Sequence, residues 1–274
     1  MRNFLIRVQT AVVFVGVMVG GIFWNVWSYS ALMAAVILFS LYEYFTLISY
    51  TREANRISLI YMPLGILTGL ATFGASLLVI KGISDGIIYL IPTCLLFLFF
   101  ALEIFSESST PLANIAQNIT GIIYVSIPFA ILNYVAVSED SYHPKLVLGI
   151  LFLVWVNDAA AYIFGSLFGK RKFLQRISPN KTVEGFFGGA FGCVLVACLQ
   201  YVIFGIFSLW NWLALALIIW IVATMGDLIV SMFKRSVSIK DTGHFFPGHG
   251  GFLDRFDAFI FAVPFAAAYI LYIR

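Results

Sequence analysis

Four aspartates, a set of lysines and arginines, and a glycine-rich loop are the residues of this sequence whose types and spacing could do chemistry. Asp227, Ser231 and Lys234 stand at i, i+4 and i+7 of one apolar run, so a helix puts them on one face. At 1.5 Å per residue, Asp227 lies about 10 Å inside the basic end of that helix, Lys234-Arg235. A carboxylate at that depth must meet a cation, and a metal ion would serve. A loop follows in which four glycines fall within nine residues, Gly243 to Gly251. Such a loop lets the backbone approach a ligand and turn its N–H groups inward. With Lys234, Arg235, Lys240 and Arg255 beside it, the loop suits a polyphosphate, and Gly248, His249, Gly250 and Gly251 are its candidate contacts. Asp254 and Asp257, one turn apart at the start of the last helix, can share a divalent ion with Asp227. Mg²⁺ takes few carboxylates together with waters and phosphate oxygens, which this set allows.

A second polar segment lies upstream. Asp158 sits within an apolar run and shares a helical face with Tyr162, Gly165 and Gly169. That face reads either as packing around one buried hydrogen bond or as a place for the metal or its outer shell. Lys170, Arg171, Lys172 and Arg176 read as an anchor at anionic headgroups. Ser178 before Pro179 is expected to cap a helix N-terminus, placing Lys181, Thr182 and free backbone N–H groups where a phosphate binds. Ser178 and Lys181 also spell S-x-x-K, but no S-D-N or K-T-G accompanies them. Gly185, Gly188, Gly189 and Gly192 are spaced for close helix packing. His244 and His249, five apart without a cysteine partner, read as phosphate donors or turn residues rather than zinc ligands. Cys94, Cys193 and Cys198 read as apolar filler. Glu43, near the end of the second helix, either reaches the interface or lines the site.

The elements that must hold these groups are membrane helices. Hydrophobic residues make up 62% of the 274-residue chain and charged residues 11%, with a mean hydropathy of +1.00. Soluble domains are nearer one quarter charged. Segments of about 20 apolar residues, enough to cross a bilayer, recur at roughly 8–24, 29–48, 59–80, 86–104, 118–137, 146–168, 186–207, 211–233 and 256–273. The first two come from one stretch, divided between Trp24 and Tyr29 because Trp and Tyr favour the headgroup level. No small-residue cleavage site follows Arg2 and Arg7, so the first segment reads as an uncleaved helix. With nine spans and a cytoplasmic N-terminus, 13 of the 16 Lys and Arg residues fall on the cytoplasmic side, as the positive-inside rule requires. The expected fold is therefore an all-α polytopic membrane protein, integral to a bacterial-type inner or plasma membrane, with its chemistry at the cytoplasmic side. Residues 1–150 read as scaffold helices and 151–274 as the catalytic region of one continuous membrane domain.

Residues 231–257, S-M-F-K-R-S-V-S-I-K-D-T-G-H-F-F-P-G-H-G-G-F-L-D-R-F-D, resemble the signature of the phosphatidate cytidylyltransferase family, also called CDP-diacylglycerol synthase. They match S-x-x-K-R-x4-K-D-x-G-x2-[LIF]-P-G-H-G-G-x2-D-R-x-D at each fixed position. Asp158 to Lys170 (D-x-x-A-Y-x-x-G-x3-G-K) and Ser178 to Gly185 (S-P-x-K-T-x-E-G) are similar to the same family. The resemblance implies transfer of CMP from CTP to phosphatidic acid, giving CDP-diacylglycerol and pyrophosphate for phospholipid synthesis. It also implies Mg²⁺, an additional monovalent cation such as K⁺, and a homodimer, with no nucleic-acid partner. Asp227 and Asp254 would hold the metal, with Asp158 and Asp257 as further ligands or its outer shell. Lys234, Arg235, Lys240, Ser231 and the glycine loop would bind the triphosphate. Lys181 and Arg255, with Ser178 and Thr182 nearby, would take the lipid phosphate. A transporter is the rival of a different class, disfavoured because the polar groups gather at one face and the halves show no repeat. A CTP-dependent polyprenol kinase or an ether-lipid cytidylyltransferase is closer.

Overall fold

The computed structural model describes residues 2–49, 58–106, 108–243 and 250–274, with side chains from residue 9 onward in the first helix and from residue 61 in the third. Among the described residues ten α-helices follow one another: α1 (Arg2–Trp24), α2 (Val26–Ser49), α3 (Ser58–Ile80), α4 (Leu90–Glu103), α5 (Pro111–Gly121), α6 (Ile127–Ala136), α7 (Pro144–Phe168), α8 (Val183–Phe204), α9 (Leu209–Ser236) and α10 (Leu253–Ile273). A 3₁₀ turn, Gly86–Tyr89, leads into α4, and a π turn, Ile122–Ser126, joins α5 to α6 as one span. Isolated β-bridges, Val137 to Tyr142 and Lys172 to Thr182, close connections between helices.

Eight of these helical segments are long and apolar enough to cross a membrane, and Gln9–Trp24 is a shorter apolar helix. They correspond one for one to the segments expected from hydropathy. The long first stretch breaks at Asn25, whose Oδ1 accepts hydrogen bonds from the Trp27 and Ser28 N–H groups at 2.8 and 2.9 Å. Those are the orphan donors of a helix N-terminus, so one capping residue suffices to start α2.

Helix α7 packs on α8, α8 on α9, and α9 on α10, and one contiguous apolar core runs from α2 through α6, α7, α9 and α10. Lipid tails are as apolar as leucine, so these contacts depend on close fit rather than on exclusion of water. The α7–α8 contact shows the means. A Cβ on Gly188 would strike Phe164, one on Gly189 would strike Asn157, and one on Gly192 would strike Ala160. The four glycines expected to permit packing sit in this seam. At Gly226 a side chain would collide with the Asp257 carbonyl and with Ala258, so the α9 backbone lies against the first turns of α10. This meeting of the C-terminal parts of α7 and α9 with the N-terminal parts of α8 and α10 gathers the polar residues at one end of four helices.

Candidate active site

A cavity of about 500 Å³ opens at that end. Asp158 and Tyr162 reach it from α7, Asn180, Lys181 and Thr182 from the α7–α8 connection, Asp227 and Lys234 from α9, and Asp254 and Asp257 from α10. All four sequence-selected aspartates thus share one space.

Two ion pairs among the described residues organise it. Lys181 Nζ lies 2.6 Å from Asp227 Oδ2, and Lys234 Nζ lies 2.7 Å from Asp254 Oδ1. The Ser231 hydroxyl, one turn along α9, donates to Asp227 Oδ1 at 3.2 Å. Asp254 Oδ2 accepts the backbone N–H groups of Thr242 and Gly251 at 2.9 and 3.2 Å. The backbone at Thr242 and Gly251 is therefore turned toward a carboxylate, and Gly250 holds a left-handed φ of +82° that glycine adopts without strain. Asp257 is buried, and its Oδ1 accepts the Ala258 N–H.

The wall beside the α7–α8 connection is aromatic. Phe173 stacks on Phe186 with ring centres 5.1 Å apart, and Phe186 packs on Trp220 at 4.5 Å. The Trp220 indole N–H donates to the Phe186 carbonyl at 2.7 Å, which fixes the ring. Asn157, buried behind Asp158, donates to Thr224.

Several expected contacts fall elsewhere. Ser178 is not the helix cap: α8 begins at Val183, and Thr182 caps it by accepting the Gly185 N–H at 3.1 Å. The physical reason is the turn preceding it, in which the Ser178 N–H bonds the Leu174 carbonyl and its own carbonyl accepts from Lys181 N–H. Arg235 and Lys240 are exposed and do not line the cavity, Arg235 donating to the Ile239 carbonyl at 3.3 Å. Arg255 faces an adjoining groove of about 400 Å³ between α1 and α7, lined by Ala11, Phe14, Val15, Trp155 and Ala159. That groove shares Asp158 and Asp254 with the cavity, so an apolar channel meets the polar site at two carboxylates. Gly248, His249 and His244 lie outside the described residues.

Glu43 neither reaches the interface nor lines the cavity. It is 6% exposed and accepts hydrogen bonds from the Thr242 hydroxyl and from the N–H groups of Phe252 and Leu253. An ionisable residue within an apolar run was the available signal; its partners, about 200 residues away, had none.

Oxygen donors of this kind suit a hard cation. Among the described residues no three Asp, Glu, His or Cys side chains converge into a metal cage. Mg²⁺ fits such a set, because it is held by one or two carboxylates plus waters and substrate phosphates.

Comparison with known proteins shows which family the chain falls in. Residues 5–273 match the model of the cytidylyltransferase family. The chain is 41% identical over 170 residues to a phosphatidate cytidylyltransferase of Staphylococcus saprophyticus, covering 61% of this chain and 64% of that protein. Proteins of the same name from Staphylococcus aureus strain COL and Staphylococcus epidermidis are 38% and 37% identical over the same shares. The match spans less than two thirds of the length of these relatives. With the family model matched from near one end to the other, and its polar residues gathered on one cavity, this chain belongs to the cytidylyltransferase family.

Proposed function

We propose that this chain transfers CMP from CTP to phosphatidic acid, releasing pyrophosphate and forming CDP-diacylglycerol at the cytoplasmic face of a membrane. The observation that carries the reading is one cavity joining four carboxylates and two lysines to an apolar groove between helices. A water-soluble nucleotide and a lipid headgroup can meet in such a place without either crossing the wrong medium.

A phosphomonoester loses its second proton with a pKa of about 6, so the lipid phosphate is already a nucleophile near neutral pH. One of its oxygens attacks the α-phosphorus of CTP. The bond from that phosphorus to the bridging oxygen breaks, and the electron pair leaves with pyrophosphate. The obstacle is mutual repulsion of two polyanions, which positioning and charge neutralisation overcome. Lys181 and Lys234 present ammonium groups into the cavity for phosphate oxygens, and Arg235 and Lys240, exposed to solvent, add positive charge. Arg255, facing the groove, is placed for the lipid phosphate. Asp227 and Asp254 would hold Mg²⁺, with Asp158 and Asp257 supporting. When bound, the ion would supply positive charge that offsets the charge of the triphosphate and of the leaving pyrophosphate.

Product analysis with purified protein in detergent, CTP, phosphatidic acid and Mg²⁺ tests the reading. Equimolar CDP-lipid and pyrophosphate are expected. Release of CDP with a phosphorylated lipid would replace it by a CTP-dependent lipid kinase.

A further inference from the structure

We infer that Glu43 is a positioning residue for the proposed reaction, fixing Thr242 against Phe252 and Leu253 so that Asp254 faces the cavity. The inference rests on the function proposed above. From α2, the Glu43 carboxylate accepts the Thr242 hydroxyl at 2.8 Å, the Phe252 N–H at 2.9 Å and the Leu253 N–H at 2.8 Å. The last two are backbone donors at the start of α10, where a carboxylate also meets the positive end of the helix dipole. The same turn is tied from its other side by Asp254, through Thr242 N–H and Gly251 N–H. Asp254 and Glu43 therefore clamp Thr242 and the backbone of Gly251, Phe252 and Leu253 between them.

The surrounding residues are chosen for this clamp. A Cβ on Gly243 would stand 2.5 Å from Glu43 Oε1, and one on Gly251 would collide with both carboxylate oxygens. Two of the loop's glycines thus make room for a carboxylate as well as for backbone. One turn earlier on α2, Phe39 stacks on Phe252 with ring centres 4.8 Å apart and planes 18° from parallel. Glu43 does not line the cavity, so it acts through Asp254 rather than on substrate. An amide in its place would turn an NH₂ group toward a backbone N–H whichever way it pointed, because each carboxylate oxygen accepts from one.

Glu43→Gln and the milder Thr242→Val test this by steady-state kinetics and by hydrogen exchange at the amides of Thr242, Phe252 and Leu253. Glu43→Gln is expected to lower kcat/KM about 10- to 100-fold, as loss of an outer-shell partner does. Exchange should quicken at those three amides while the middles of α9 and α10 stay protected. Thr242→Val should move both readouts the same way by less, and it decides the matter if Glu43→Gln does not fold. Exchange as slow as in the parent, or kinetics within about twofold of it, overturns the inference. Uniformly faster exchange with unchanged kcat/KM in the folded fraction also overturns it, in favour of a purely structural role. The exchange readout makes no use of the reaction: a parent that forms no CDP-lipid would sink the proposed function and leave the clamp to be judged on exchange.

Discussion

At the scale of single residues, the two ion pairs differ in depth, and this sets different expectations for them. Lys234 and Asp254 have side chains 12% and 9% exposed, whereas Lys181 and Asp227 are 25% and 31% exposed. Removing one partner of a buried pair leaves a charge that neither water nor protein solvates, at a cost of about 3–5 kcal/mol. A pair open to solvent contributes about 1 kcal/mol or less. Asp254→Asn should therefore lower unfolding stability in detergent by about 3 kcal/mol, and Asp227→Asn by about 1 kcal/mol. Both should reduce turnover about 100-fold or more, since each removes charge from the group proposed to hold the metal and the triphosphate. Unfolding followed by tryptophan fluorescence, beside turnover measured at limiting and saturating Mg²⁺, separates the two effects. Near-normal turnover of Asp227→Asn at limiting Mg²⁺ would contradict its assigned role.

Between elements, the same glycine content serves opposite purposes. A Cβ at Gly188 meets the Phe164 ring across the α7–α8 seam, whereas Gly74 in α3 has open space where its side chain would be. Gly188→Ala is expected to cost about 1–3 kcal/mol by overpacking. Gly74→Ala should add about 0.5–1 kcal/mol, because alanine loses less backbone freedom in a helix. Thermal unfolding in one detergent should place the two variants on opposite sides of the parent. The α1–α7 groove supplies a functional counterpart. Ala159→Trp fills a wall of it without replacing a carboxylate. The KM for phosphatidic acid should then rise about tenfold, the ~1.4 kcal/mol of a partly lost apolar contact, while the KM for CTP stays put. Equal rises in both KM values would detach the groove from the lipid.

For the whole molecule, charge predicts orientation: 13 of the 16 Lys and Arg residues fall on one side of a nine-span reading. A thiol introduced at Lys172, in a version lacking Cys94, Cys193 and Cys198, should react only with reagents reaching the cytoplasm. A reporter joined after Arg274 should read as external. The sequence by itself determined that the chain is helical and membrane-sized, where each apolar segment lies, and which aspartates and lysines to watch. Those features are local: hydropathy over about 20 residues and a face repeating every 3.6 residues are written along the chain. Only the tertiary structure decided that Lys181 meets Asp227 and Lys234 meets Asp254, that Thr182 rather than Ser178 starts α8, and that Glu43 clamps the start of α10. Each of those depends on which helix ends come together, and periodicity within one helix carries no information about its neighbour. Glu43 and Leu253 stand 210 residues apart in the chain, and only the packing of α2 beside α10 brings them within 2.8 Å.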